Sequence, residues 1–238
     1  MTYYERNLPH WHPAGRIIFL TWRFYGSLPA SFLRSLGEDK AQPAGKFFRV
    51  VDCQLDQART GPLWLKDPRI AGYVVRALQR GEVELEQYAL LSFVVMANHV
   101  HVLLEPKIDV ARITKGIKGV TAKEGNQILG RTGRRFWQDE SYDHWVRSPS
   151  ECDRIRSYIE RNPVVAGLVA RPEEWPIQNK AHRQECLCYW RRRMVGAAKA
   201  MTAVSANAKP LENAMATGVL QRSANAPTSR LPSGVKPR

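Results

Sequence analysis

Two histidines in the segment VVMANHVHVLLEP, residues 94–106, have a spacing that could serve catalysis. His99 and His101 are separated by one residue, and residues two apart in a β-strand project to the same face of the sheet. Neighbouring imidazoles can therefore supply two ligands to a divalent cation, with a third ligand coming from elsewhere in the chain. The same spacing is also compatible with two polar residues on a solvated sheet face, so the pair alone does not establish a metal site.

A tyrosine on a predicted helix offers a second reactive group. Tyr158 and Asn162 lie four residues apart, so on a helix they point in nearly the same direction. A phenol, with a pKa of about 10, is a poor nucleophile at neutral pH, but it can attack a phosphodiester when a metal ion draws charge from the non-bridging oxygens. Considered alone, Tyr158 is also compatible with an amphipathic residue at the rim of a helix interface.

The helix that carries Tyr158 is marked at both ends. Ser148 is a typical N-cap, Pro149 suits the first helical position, and Glu151 stands three residues after the cap, as in a capping box. Pro163 predicts that the helix ends at Asn162, because proline has no N–H to continue the hydrogen-bond ladder.

The hydrophobic pattern predicts the elements that position these groups: a strand over 16–26, a helix over 68–81, strands over 88–96 and 99–105 that form a hairpin, a helix over 109–130 and a strand over 141–147. The order βαββαβ is typical of an α+β fold with a ferredoxin-like antiparallel sheet and helices over one face. The Tyr158 helix is an addition to this arrangement. We expect Val100 and Val102 to pack under the helices, and the two histidines to stand on the open face.

Composition indicates a basic domain followed by a basic tail. The 238 residues contain 36 Lys and Arg against 22 Asp and Glu, and a net charge of +14 is typical of a protein that binds a polyanion such as nucleic acid. No apolar run reaches the roughly 18 residues that a membrane span needs, and no signal peptide is recognisable, so a cytoplasmic location is expected. Residues 1–178 are predicted to form the folded domain, and residues 179–238 a mostly disordered basic tail.

Another His-x-His pair, His10 and His12, has the same spacing near the N-terminus. It precedes Pro13 and is predicted to lie in a loop, as a packing or surface element. It therefore makes no strong case for a metal site.

Several motifs together resemble those of a known family. The segments VVMANHVHVLLEP and YIERNPVVAGLV are similar to the His-hydrophobic-His motif and the nucleophile helix of single-tyrosine transposases that act on single-stranded DNA. The segments YYERNLPHW, FLTWR, GSLP, FWQDESYDHWVR and PEEWP resemble the branch called REP-associated tyrosine transposases. The resemblance runs from about residue 3 to residue 176 with the motifs in the order of the family.

The resemblance implies a reaction and the residues that perform it. His99 and His101 would bind Mg²⁺ or Mn²⁺, and Tyr158 would attack a phosphate in single-stranded DNA to give a 5′-phosphotyrosine and a free 3′-OH. Asn162 occupies the position where the wider family has a glutamine that completes the metal site. No nucleotide cofactor would be needed, because the covalent intermediate conserves the energy of the cleaved bond.

The family's substrates are palindromic hairpins flanked by a tetranucleotide. Basic and aromatic side chains are expected to hold such DNA by phosphate contacts and base stacking, namely Lys115, Lys118, Lys123, Arg131, Arg134, Arg135, Arg154, Trp137 and Phe136. A monomer is favoured over a dimer. The alternative to an enzyme is a catalytically silent module that binds repeat hairpins in DNA or RNA.

Tyr142 is a second candidate nucleophile. It lies in the predicted strand 141–147 and has no amide side chain four residues on, in contrast to Tyr158. Its neighbours Asp143 and His144 are expected to support the site or to contact DNA.

Overall fold

In the computed structural model of the chain, the described residues are 2–5, 9–12, 15–38, 44–58 and 60–178. They belong to one compact unit, Met1–Arg192. The predicted basic tail, 179–238, lies outside the described residues, and its disorder stays a prediction. Within the described residues, no helix combines the length and the apolar character that crossing a bilayer requires.

The chain begins with three strands, and its helices and remaining strands follow. In order they are β1 (Thr2–Glu5), β2 (Pro9–His12), β3 (Ile18–Arg23), α1 (Ala30–Glu38), α2 (Ala44–Asp56), a 3₁₀ turn (Trp64–Lys66), α3 (Pro68–Val83), β4 (Tyr88–Val95), β5 (His99–Pro106), α4 (Val110–Ile128), β6 (Tyr142–Trp145), α5 (Pro149–Val165) and a second 3₁₀ turn (Pro172–Glu174).

Strands β3 to β6 form one sheet in the spatial order β4-β5-β3-β6, and every neighbouring pair is antiparallel. With α3 between β3 and β4, and α4 between β5 and β6, this is the βαββαβ arrangement of a ferredoxin-like sheet. The predicted α+β fold class is therefore confirmed. The α3 and α4 helices pack on one face of the sheet together with Val100, Val102 and Leu104, as expected.

The second face of the sheet is covered as well, contrary to the expectation of an open face. Phe19 and Leu103 of the sheet pack there against Phe48 of α2 and Ile159 of α5 in a separate apolar cluster. Burial of this second cluster supplies a hydrophobic driving force for docking α2 and α5. The histidine face is thus an interior and not a surface.

Two parts of the chain differ from the predicted elements near the N-terminus. The pair His10 and His12 lies in β2, which is antiparallel to β1 in the register Thr2↔His12, so the prediction of a loop was wrong. Backbone pairing with residues 2–5, which single-residue patterns do not reveal, provides the strand partner. Helices α1 and α2 were not predicted, although α2 shows the helical spacing of Phe48, Asp52 and Leu55.

The predicted start of α5 is correct, and its predicted end is wrong. Ser148 caps the helix, since its Oγ accepts a hydrogen bond from the N–H of Glu151 at 3.1 Å. Pro163, however, lies inside the helix, which continues to Val165. The helix ends instead where Gly167 adopts a φ of +69°, and the N–H of Leu168 donates to the carbonyl of Pro163 at 2.9 Å. Proline in the last turn removes one hydrogen bond without stopping the helix there.

Two glycines of α4 are expected to respond to alanine in opposite directions. A Cβ at Gly119 meets open space, so Gly119→Ala should stabilise the protein by about 0.5–1 kcal/mol through the better helix propensity of alanine. A Cβ at Gly125 would overlap the ring of Phe136, so Gly125→Ala should destabilise it by about 1–3 kcal/mol. Urea unfolding of both variants measures the difference, and stabilisation by both substitutions would contradict this packing.

Candidate active site

The histidine pair is positioned by the centre of the sheet. In β5, His99 lies opposite Arg23 and His101 lies opposite Thr21 of β3. Both imidazoles point to the face covered by α2 and α5, and both are completely buried. The prediction that they share a face is confirmed by this register, whereas the prediction that the face is open to solvent is wrong, because α2 lies over it.

Helix α2 places two carboxylates against the imidazoles. Asp52 Oδ1 lies 3.3 Å from Nε2 of His101 and 3.8 Å from Nε2 of His99, while Asp56 Oδ1 lies 3.7 Å from Nε2 of His99. The two Nε2 atoms are 3.0 Å apart. Asp52, His99 and His101 thus converge with one ligand atom each, all within 4.8 Å of one another. Asp52 and Asp56 are four residues apart and so project from the same side of the helix.

The outer nitrogens of the two rings have separate partners. Nδ1 of His99 is 2.6 Å from Oδ1 of Asn98, and Nδ1 of His101 is 2.7 Å from Oγ1 of Thr21. Because these bonds occupy both Nδ1 atoms, the two Nε2 atoms are left to face each other and Asp52. Outer hydrogen bonds of this kind orient imidazole ligands in metal sites.

Burial opposes the charged form of every titratable group in this cluster. It raises the pKa of Asp52 to about 8, with a further contribution from Asp56, and raises the pKa of Asp56 to about 7. It lowers the pKa of His99 to about 3 and that of His101 well below its usual value. The histidines are therefore neutral and able to act as ligands.

The donor set fits a divalent cation. Among the described residues, Oδ1 of Asp52 and Oδ1 of Asp56 are buried without a hydrogen bond. Buried carboxylate oxygens without partners are costly, and a cation between them and the imidazoles would compensate this cost. Two imidazoles with one or two carboxylates suit Mn²⁺, while Mg²⁺ prefers the oxygen ligands.

Helix α5 brings Tyr158 to the same cluster. The centroid of the Tyr158 ring lies 5.6 Å from that of His101, and 6.2 Å from those of Phe19 and Phe48. One turn further along α5, Asn162 is buried, and within the described residues both of its amide atoms lack a hydrogen-bond partner. The structure therefore brings Tyr158 next to the histidine pair. The role of Asn162 as a ligand stays a prediction.

Tyr142, the second candidate nucleophile, has a less suitable environment. Its ring stacks on Phe48 at 4.2 Å between centroids. Burial, assisted by the negative charges of Asp143 and Glu151, raises the pKa of Tyr142 to about 12. The phenolate that would attack phosphorus is thus harder to form at Tyr142 than at an unperturbed tyrosine.

His144 lies opposite Phe19 on the same face of the sheet as the histidine pair, but its partner is Glu151 of α5. Its Nε2 lies 3.0 Å from Oε1 of Glu151, whose other oxygen accepts from the N–H of Arg147 at 2.7 Å. The pair joins β6 to the first turn of α5, which is a supporting role for the helix that carries Tyr158.

The predicted DNA-binding residues occupy different environments. The side chains of Lys115, Lys123, Arg134, Arg135 and Arg154 are exposed. Lys118 is instead engaged with the protein, since its Nζ donates to the carbonyls of Gln138 at 2.6 Å and Asp139 at 2.9 Å.

Trp137 and Phe136 do not present their rings for base stacking. Trp137 is 5% exposed and its Nε1 donates to Oγ1 of Thr121, while Phe136 is 2% exposed. The prediction of stacking on these rings is therefore corrected, because both belong to the core beneath α4. Tyr25 has an exposed ring instead, since 47% of the residue is accessible to solvent. The guanidinium carbon of the exposed Arg135 lies 4.7 Å from the centroid of this ring. Arg131 similarly lies over Trp64 at 4.1 Å.

Asp52 and Asp56 are the functional candidates that sequence reasoning missed. A signal existed, because FFRVVDCQLD places two acids four residues apart on a helix that also carries apolar residues at helical spacing. Nothing in the sequence shows, however, that this helix covers the histidine face. Only the tertiary structure brings residues 52 and 99 together.

Comparison with known proteins places the site in a family context. Residues 72–162, which include both histidines, Tyr158 and Asn162, match the family described as IS200-like transposases. A solved structure of a REP-associated tyrosine transposase bound to a REP hairpin is 17% identical, and the match spans 75% of this chain and 82% of that one with a TM-score of 0.42. A protein from Deinococcus radiodurans R1 described as a candidate transposase is 15% identical, over 67% and 96% of the two chains, with a TM-score of 0.28. Curated proteins give no match.

Proposed function

We propose that the chain, whose residues 72–162 match the IS200-like transposases, cuts and rejoins single-stranded DNA with Tyr158 as nucleophile and a divalent cation as cofactor. The family match agrees with the transposase resemblance of the motifs. The observation that carries the proposal is the contact between the Tyr158 ring and the buried cluster of His99, His101 and Asp52.

In the proposed reaction, the phenolic oxygen of Tyr158 attacks phosphorus in the strand. A new oxygen–phosphorus bond forms to the tyrosine, the bond from phosphorus to the 3′-oxygen breaks, and the phenol proton is lost while the departing oxygen gains one. The products are a 5′-phosphotyrosine and a free 3′-OH. Attack of a 3′-OH on the phosphotyrosine reverses these changes and rejoins a strand, so no external energy source is required.

Asp52, His99 and His101 would hold the cation, with Asp56 and Asn162 beside them. Bound Mg²⁺ or Mn²⁺ would withdraw charge from the non-bridging phosphate oxygens. The protein's own contribution is positioning, since α5 fixes Tyr158 beside the cluster, and the cover of apolar side chains strengthens electrostatic interactions in the site.

The resemblance to the REP-associated branch extends the proposal to the substrate. We propose a palindromic hairpin with an adjacent single strand, held through the exposed basic residues of α4 and of the segment that follows it. Phosphate contacts by these residues would fix the register of the DNA without reading its sequence.

The decisive experiment is to trap the covalent adduct. Purified protein is incubated with Mn²⁺ and labelled single-stranded oligonucleotides that contain a hairpin, and the products are separated on a denaturing gel. A labelled band at the mobility of the protein supports the proposal. Hairpin binding without an adduct or cleavage would indicate the catalytically silent binding module instead.

Tyr25 is expected to contact the single strand beside the hairpin. Tyr25 lies two residues beyond the end of β3 where Arg23 pairs with His99, and its exposed ring can stack on a base. Tyr25→Ala should weaken single-strand binding by about 1–3 kcal/mol, the usual value of one base–aromatic stack. Fluorescence anisotropy with labelled oligonucleotides measures this change.

Tyr73 offers a matched control. It is also covered by an arginine, with the guanidinium of Arg76 at 4.3 Å from its ring, but it belongs to α3 and not to the proposed DNA surface. Tyr73→Ala should leave DNA affinity unchanged. Equal losses for Tyr25→Ala and Tyr73→Ala would contradict the assignment of Tyr25.

A further inference from the structure

We propose that Asn98 is a positioning residue that holds His99 in the tautomer with its proton on Nδ1, and that joins the histidine strand to the end of α2. The inference rests on the proposed function in one respect, namely that the cluster of Asp52, His99 and His101 binds a cation. Its geometric basis lies in the turn between β4 and β5 and in the last turn of α2.

The orientation of the Asn98 amide is fixed by a group that can only accept. Its Nδ2 donates to the carbonyl of Leu55 at 3.0 Å, and a carbonyl oxygen has no proton to give. The nitrogen of the amide must therefore face Leu55, and Oδ1 must face His99. Asn98 is 1% exposed, so its amide is shielded from bulk water.

The amide in turn determines the protonation of His99. Oδ1 of Asn98 is an acceptor and lies 2.6 Å from Nδ1 of His99, so Nδ1 carries the proton. In a neutral imidazole Nε2 then keeps its lone pair, and this is the atom that faces Asp52 and Asp56. His99 is thus prepared as a ligand before any cation is bound.

The tautomer of His101 is less strictly determined by its partners. Its Nδ1 lies 2.7 Å from Oγ1 of Thr21, and a hydroxyl can donate or accept. Because Nε2 of His99 carries no proton, a hydrogen bond across the 3.0 Å between the two Nε2 atoms has His101 as its donor. The two histidines therefore differ in tautomer, and only that of His99 already matches a metal ligand.

The other half of the role of Asn98 concerns α2. Leu55 belongs to the last turn of this helix, and its carbonyl accepts from the N–H of Ala58 at 3.0 Å and also from Nδ2 of Asn98 at 3.0 Å. The same helix carries Asp52 and Asp56. Asn98 therefore connects α2, which carries the two carboxylates, with His99 of β5, and so positions the carboxylates relative to the imidazoles.

The backbone at this turn is anchored independently of the Asn98 side chain. The N–H of Phe24 donates to the carbonyl of Asn98 at 3.0 Å, and the N–H of Met96 donates to the carbonyl of His99 at 2.9 Å. Asn98→Ala should therefore keep the hairpin, so its effects report on the side chain.

The first test reads the tautomer directly. In metal-free full-length protein with ¹⁵N-labelled histidine, NMR shifts of the ring nitrogens should show the His99 proton on Nδ1 and the His101 proton on Nε2. In Asn98→Ala, His99 should lose this preference. Asn98→Asp retains an acceptor beside Nδ1 and should restore it. An unchanged His99 tautomer in Asn98→Ala overturns the inference.

The second test measures Mn²⁺ affinity by titration with electron paramagnetic resonance. Asn98→Ala should weaken binding about 10- to 100-fold, the usual effect of removing a group that orients a metal ligand. Asn126→Ala is the matched control, because Asn126 is also buried and its Nδ2 also donates to a carbonyl, that of Arg134, remote from the cluster. It should leave Mn²⁺ affinity unchanged.

The outcomes separate this inference from the proposed function. If His99→Ala and Asp52→Ala bind Mn²⁺ as the parent does, the proposed cation site itself is wrong. If they lose Mn²⁺ and Asn98→Ala binds as the parent does, only the role of Asn98 is wrong. Should Asn98→Ala fail to fold, Asn98→Leu, which has no acceptor beside Nδ1, is compared with Asn98→Asp, and identical His99 tautomers in the two would overturn the inference.

Discussion

Replacing Tyr158 with phenylalanine is expected to abolish the covalent protein–DNA adduct and to reduce strand cleavage by at least about a thousandfold, the scale of loss when an enzyme loses its nucleophile. The change removes one oxygen and leaves the ring that packs near Phe19 and Phe48. Folding and DNA binding should therefore remain. Adduct formation on a denaturing gel and initial cleavage rates with Mn²⁺ measure the effect.

Tyr142→Phe is the matched control for this result. Its ring lies against the same Phe48 and also loses only a hydroxyl group. Since burial and two neighbouring acids disfavour the phenolate of Tyr142, its removal should preserve the adduct. Loss of the adduct in Tyr142→Phe with retention in Tyr158→Phe would assign the nucleophile to Tyr142 and refute the role of α5.

The sheet could be predicted because its signals are local. Short runs rich in apolar, β-branched and aromatic residues define β3, β4 and β5. The strand period of two places His99 and His101 on one face without reference to any other residue. The start of α5 was equally predictable, since the hydroxyl of Ser148 caps a helix through a bond to a residue only three positions away. Such features depend on a few consecutive residues.

The cover of the histidine face was not predictable in the same way. Its components, Phe48 of α2 and Ile159 of α5, are more than 100 residues apart, and their meeting depends on packing against the sheet. The ferredoxin-like pattern accounts for helices on one face only. For this reason the histidines were expected in solvent, and Asp52 and Asp56 were missed.

The predicted end of α5, at Asn162, was wrong for a different reason. Proline disfavours a helix by loss of one hydrogen bond and by contact with the preceding turn, but these effects are local, and after Pro163 the N–H of Ala166 still donates to the carbonyl of Asn162 at 2.9 Å. Gly167 provides a better terminator because it adopts the left-handed conformation that the closing bonds require.

Asp52→Asn is expected to remove the stabilisation of the protein by Mn²⁺ while leaving the metal-free protein no less stable. In the absence of a cation, burial raises the pKa of Asp52 to about 8, so the side chain is mostly neutral at pH 7, and an amide of the same shape replaces it without loss of a charge interaction. With Mn²⁺ at about 100 times its dissociation constant, the parent should gain about 2.7 kcal/mol of unfolding free energy. Urea unfolding in Mn²⁺ and in chelator gives this difference for each variant.

Asp56→Asn distinguishes a ligand from a neighbour, because it removes a similar carboxylate from the same face of α2. Asp56 Oδ1 lies 3.7 Å from His99 but lies outside the group of ligand atoms formed by Asp52, His99 and His101. Asp56→Asn should therefore retain most of the stabilisation by Mn²⁺. Retention in Asp52→Asn and loss in Asp56→Asn would contradict the ligand set, because the carboxylate that holds the cation would then be the one farther from His101.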